Sequence, residues 1–161
     1  MTADGTSTDL HEERGEEDQM TTQGTETVRQ DHEHLLEDVE HIRLAARELP
    51  AVSPEERHAI VGRILDFLRG TLLPHAEEEE RWLYPAVGEL LGNLESTRPM
   101  THDHIAIRAR VVELAATEDT DVDRLQELLY GLYALISVHF WKEEQLYLPL
   151  LERPVWPVFD G

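Results

Sequence analysis

The chain has 161 residues, enough for one packed core and short for two. Asp and Glu number 34 against 14 Lys and Arg, a formal net charge of -20 at pH 7. A surface of that sign repels phosphate backbones and anionic headgroups, which argues against nucleic-acid and membrane partners. With no cysteine, disulfides, thiolate nucleophiles and sulfur-held clusters are excluded. The longest uncharged apolar stretch, Leu128 to Trp141, is shorter than the roughly 18–20 residues a spanning helix needs. The acidic N-terminus lacks the basic start and apolar core of a signal peptide, so a cytoplasmic protein is expected.

In chain order, residues 1 to 25 read as an acidic tail. Asp4, Asp9, Glu12, Glu13, Glu16, Glu17 and Asp18 repel one another among few apolar residues, and such a segment is expected to stay disordered. Residues 26–161 read as one antiparallel, up-down-up-down four-helix bundle, an all-α fold. The first helix spans about Glu26 to Glu48, with the seam Val28, His32, Leu35, Val39, Ile42, Ala46 and Leu49 in alternating steps of four and three. The second begins at Ser53-Pro54-Glu55-Glu56, a capping box with Pro at the first helical position. Its seam is Ile60, Ile64, Phe67, Thr71, His75, Glu79 and Trp82. A kink is expected at Pro74 and an end or redirection at Pro85.

The third helix lies within about Ser96 to Ala116, with Met100, His104, Ile107, Val111 and Leu114 on its seam. The fourth starts near Thr120-Asp121, with Asp123 available as a cap, and its seam is Leu125, Leu128, Leu132, Ile136, His139, Glu143 and Leu146. The apolar stretch Val155 to Phe159 is expected to pack back on the bundle.

These seams carry an anomaly. Each has one His (His32, His75, His104 and His139), and two also have a Glu, Glu79 and Glu143, each four residues after its His. Positions i and i+4 share a helix face, and an ionised carboxylate in an apolar core costs several kcal/mol unless paired or metal-bound. The pattern repeats. Asp31 and Asp103 precede the first His of each half, and Pro85 and Pro149 each fall ten residues after the HxxxE histidine. A lone seam His is more often a core residue held by hydrogen bonds than a ligand, and HxxxE arises by chance roughly once at this composition. Four seam His, one per helix, with two Glu in matching register, reverse that weighting and point to a shared metal site. His34, His41, His58 and His102 fall off the seams and read as surface or rim positions. Glu144 and the Glu77–Glu80 run, apart from Glu79, read as solvated; Tyr130 and Tyr133 read equally well as pocket lining or as core.

Imidazole and carboxylate donors without sulfur suit iron or manganese, with zinc also compatible. Six donors exceed one tetrahedral zinc and fit two metals bridged by both carboxylates and by an oxo or hydroxo group, with open positions left for O2, peroxide or nitric oxide.

The order H…HxxxE…H…HxxxE on four helices, with Tyr-Pro endings, resembles the hemerythrin-like HHE cation-binding domain over roughly residues 28–152. The resemblance implies a non-haem di-iron site in an antiparallel four-helix bundle that binds or senses O2, iron, nitric oxide or reactive oxygen species. Carried over, the ligands are His32, His75, Glu79, His104, His139 and Glu143, both Glu bridging. The chain departs from the oxygen carriers of that family. Their fifth His, one turn from the helix-three ligand, corresponds to Met100 or Arg108, and their HxxxxD is here HxxxE at Glu143. Four function classes follow: a di-iron protein that binds or senses a small ligand; a catalase-like enzyme that removes peroxide; a ferritin-like oxidase, whose E-x-x-H pairs find only Glu55-x-x-His58 here; and a metal-free interaction bundle.

Overall fold

The computed structural model describes residues 6–152, and of residues 6–23 the backbone alone. Four helical rods make up the fold, and no strand occurs among the described residues. Helix α1 is Thr6–Glu48. Helix α2 covers residues 54–90 as three α-helical segments, Pro54–Phe67, Leu73–Glu78 and Tyr84–Leu90, joined by the π-helical turns Leu68–Leu72 and Glu79–Leu83. Helix α3 is Arg98–Ala116, entered through the 3-10 turn Leu94–Thr97. Helix α4 covers residues 122–151: Val122–Lys142, the π turn Glu143–Tyr147, and Leu148–Leu151. The expected tail falls mostly outside this description, since residues 1–5 are not described and residues 6–23 are seen as the first turns of α1 without side chains. The stretch Val155 to Phe159 lies outside the described residues.

Neighbouring rods run antiparallel. Asp31 of α1 faces His75 of α2 and Gly24 faces Trp82; Arg124 at the start of α4 pairs with Glu113 near the end of α3; and Gln126 of α4 donates to the Ala46 carbonyl near the end of α1. The up-down-up-down bundle expected from the four amphipathic seams is the observed architecture. The α2 capping box forms as read: Ser53 Oγ accepts from the Glu56 amide at 3.3 Å and Glu56 Oε2 from the Ser53 amide at 2.9 Å, worth about 1 kcal/mol. For α4 the cap is Asp121 rather than Asp123; its carboxylate accepts from the Arg124 amide at 3.2 Å.

The prolines act differently from expectation. Helix α2 continues through Pro74 and does not end at Pro85, and α4 continues through Pro149. Instead, each π turn closes on the residue just before a proline: Leu73 N–H bonds the Leu68 carbonyl, Tyr84 the Glu79 carbonyl and Leu148 the Glu143 carbonyl. A proline offers no donor and crowds the carbonyl four residues back. Widening the preceding turn by one residue lets the rod carry on. The extra residue also shifts the seam. The inward positions of α2 run Val61, Ile64, Leu68, Leu72, Ala76, Glu79 and Leu83, while Thr71 is exposed and Phe67 and Trp82 are half-buried. Leu146, expected on the α4 seam, is exposed, and Leu148 is buried in its place.

Two apolar clusters result. The larger joins Val39, Ile42, Ile64, Leu68, Val111 and Leu132 with their neighbours; the smaller joins Val28, Leu83, Tyr84, Val87, Met100 and Leu148. The buried polar residues His32, Glu79, His104, His139 and Glu143 sit between them. No helix among the described residues is long and apolar enough to cross a membrane.

Candidate metal centre

All six polar seam residues meet at one level of the bundle. Each rod contributes one imidazole, and the π-widened segments of α2 and α4 contribute Glu79 and Glu143, the first residues of their π turns. The imidazoles form two pairs. His32 and His75 meet edge to face with centroids 5.2 Å apart, and His104 and His139 bring their Nε2 atoms to 2.9 Å. Between the pairs lie the carboxylates. Glu79 turns Oε1 to His75 and His32, at 2.9 and 3.2 Å, and Oε2 to His104 at 3.5 Å. Glu143 turns Oε1 to His139 and Oε2 to His32, both at 3.4 Å. Each carboxylate thus offers one oxygen to each imidazole pair.

Every Nε2 faces this centre, and every Nδ1 faces out toward another carboxylate. His32 Nδ1 donates to Glu144 at 2.8 Å, His104 Nδ1 to Glu80 at 2.7 Å and His139 Nδ1 to Asp103 at 3.2 Å; His75 Nδ1 stands 3.9 Å from Asp31. The three hydrogen-bonded outer groups fix the ring orientation of His32, His104 and His139 and leave their inner nitrogens to bind. The expectation that Glu80 and Glu144 are solvated is corrected here, because both are half-buried against the histidines. The sequence did carry the signal, since both motifs read HxxxEE.

Tyr84 was also undervalued by sequence reasoning. It is buried beside the centre, its hydroxyl donates to Glu143 Oε1 at 2.6 Å, and it lies 3.2 and 3.4 Å from the Nε2 atoms of His104 and His139. The matching position in the second half is Leu148, so this hydroxyl breaks the pseudo-twofold. Phe140 stacks on His32 at 4.4 Å. Met100 is buried in the smaller core and Arg108 turns out to Glu80, so neither aims a donor inward. His34, His41, His58 and His102 are exposed, as expected. His58 pairs with Asp119 at the surface, so Glu55-x-x-His58 joins no buried cluster. Tyr133 packs against the larger core and Tyr130 is exposed.

Charge in the cluster is balanced by protons. Burial lowers the His32 pKa, yet the facing Glu143 and Glu79 carboxylates outweigh it and lift the value to about 10. Burial likewise opposes the His139 cation, but Asp103 and Glu143 raise it to about 9. Burial works against both inner carboxylates, yet the facing imidazoles of His104, His32 and His75 hold Glu79 well below the usual range, and those of His139 and His32 lower Glu143. Burial and the Glu143 and Glu79 charges push the Tyr84 phenol far up, so it is a neutral donor.

Even so, His75 Nε2, Glu79 Oε2 and Glu143 Oε2 are buried without a hydrogen-bond partner. Orphaned acceptors converging on one point are costly unless a cation completes them. Among the described residues, two groups of donor atoms lie close enough to share an ion: His32, His75 and Glu79, and Glu79, His104, His139 and Glu143. The residues therefore fit a bound metal.

The chain matches the family described as the hemerythrin HHE cation binding domain over residues 23–151. It belongs to that family. No curated protein and no solved structure gives a significant match. The HHE match starts at residue 23, close to Gly24 and Thr25. Thr25 is buried, and the missing side chain of Gly24 lets the Trp82 indole approach; a Cβ there would stand 3.2 Å from the ring.

Proposed function

We propose that this HHE domain holds a pair of iron ions and that the pair binds or senses a small oxidant or nitric oxide. His32 and His75 would hold one ion, His104 and His139 the other, with Glu79 and Glu143 bridging. The observation that carries this reading is the split of each carboxylate, one oxygen toward each imidazole pair. Such an iron pair supplies one- and two-electron exchange with O2, peroxide or nitric oxide. Nitrogen and oxygen donors without sulfur favour iron or manganese.

The protein's own part is to restrict what reaches the pair. Leu72, Leu73, Ile107, Ile136 and Phe140 close a nearly apolar cavity of about 10 Å³ over His75, Glu79, His104 and His139. That space is at the lower limit for a single water, which argues against an organic substrate and for a ligand of very few atoms. Tyr84 supplies a fixed donor on the opposite side, toward Glu143.

Protein purified aerobically should show charge-transfer absorption, and that spectrum should change on adding O2 to the reduced form, nitric oxide or peroxide. An unchanged spectrum with all three would refute the small-ligand reading. Oxygen evolution from peroxide above that of free iron would select the catalase-like enzyme over the binder or sensor.

A further inference from the structure

Four outer carboxylates surround the centre, and three are locked by a fixed cation. Glu144 pairs with Arg29, Glu80 with Arg108 at 3.0 Å, and Asp103 with Lys142. A metal cation approaching along those faces meets an arginine or lysine first. Asp31, facing His75, has no such lock; among the described residues its one ionic neighbour is His75 itself.

That fourth face is open. A surface cleft of about 300 Å³ between α1 and α2 is lined by Asp31, His34, Gly70, Pro74, His75 and Glu78. Glu78 and His34 make no ion pair or hydrogen bond among the described residues, so their donor atoms face water. The π turn Leu68–Leu72 runs along this wall, and a Cβ added at Gly70 would touch nothing within 4 Å.

His75 joins the cleft to the centre. Its side chain is 10% exposed, whereas the other five inner donors show 0–2%. It lines both the cleft and the buried cavity. Its Nε2 is without a hydrogen-bond partner, and its Nδ1, 3.9 Å from Asp31, is the one outward nitrogen of the four not hydrogen-bonded to a carboxylate. His75 is therefore the least buried of the six donors and the one imidazole without an outer hydrogen bond.

We propose that this cleft is the port through which a hydrated divalent cation reaches and leaves the buried centre. Asp31 and Glu78 supply carboxylate oxygens, His34 a nitrogen, and His75 carries the ion across the wall. The inference rests on the metal-centre reading above and adds the route. Oxygen and imidazole donors on a water-filled mouth suit a hydrated ion that must shed its waters stepwise.

The test is the rate of metal uptake. Chelator-stripped protein is mixed anaerobically with Fe2+, and in parallel with Co2+ as a spectroscopic probe. In the His34→Ala/Glu78→Gln double variant, uptake should slow about tenfold, within the range expected for lost charge steering. Final stoichiometry and the cobalt spectrum should match wild type. Gly70→Leu, which plugs the mouth without touching a donor, should slow both uptake and chelator extraction. His41→Ala/Glu48→Gln, in the other α1–α2 cleft, should change neither rate. Full loading of the double variant and Gly70→Leu at wild-type rates would overturn the port and leave the centre standing. Reduced final stoichiometry in the double variant would make these residues ligands and also overturn it. Failure of wild type to load would remove the centre and the port together.

Discussion

At the residue scale, the inner and outer shells cross. Asp31 and Asp103 support the HxxxE histidine of their own half, His75 and His139. Glu80 and Glu144, each one residue past an inner Glu, support the single histidine of the opposite half, His104 and His32. Each half thus orients the other's inner histidine, which ties the candidate metal centre to correct docking of the two helix pairs. Removing an outer partner leaves the inner donor in place but loosely aimed, so Glu80→Ala and Glu144→Ala should each weaken metal affinity about 10–100-fold. Stoichiometry at saturating metal should hold, as competition against a chromophoric chelator would measure. Unchanged affinity in both variants would mean that the rings are oriented by packing alone.

At the element scale, the four seams were legible because polar and apolar periodicity set each rod's face. Helix α1 follows its expected seam from Val28 to Leu49, and α3 from Met100 to Leu114. These rods carry no internal proline, and their spacing is regular. In α2 and α4 the reading failed locally at Thr71, Trp82 and Leu146, each inside a π turn. Sequence periodicity assumes a constant 3.6 residues per turn, and each π turn inserts one residue. The prolines gave warning of disruption, and the response was a widened turn in front of each, through which the rod continues. His75 and His139 lie outside the π turns and Glu79 and Glu143 open theirs, so all four come before the register shift that follows them. Tyr84 was missed because its inward turn follows the Glu79–Leu83 register shift. Glu80 and Glu144 were missed because a glutamate beside a seam reads as solvated until the rod opposite presents an imidazole nitrogen.

At the scale of the whole molecule, the centre couples protons, metal and folding. In the metal-free state His32 and His139 hold their protons to about pH 10 and 9, against an ordinary value of 6.5. The folded chain therefore binds more protons than the unfolded one between roughly pH 6.5 and 10. Their stabilisation is fully present below pH 6.5 and is lost as pH rises through 9 to 10. Glu79 and Glu143, with lowered values, contribute above their ordinary 4.5 and lose that contribution as pH falls through their folded values. Thermal melts of chelator-stripped protein should show a lower Tm at pH 9.5 than at pH 6, and a Tm rising over that interval would contradict the proton balance. Metal loading displaces the same protons, so it should be favoured in the opposite direction, as pH rises.

The pairing of two ions through shared carboxylates is tested most directly by counting metal per chain in the wild type and in Glu79→Ala and Glu143→Ala. The account predicts two ions per wild-type chain and loss of the pair in each variant. One ion or none in wild type, or two retained in both variants, would contradict it.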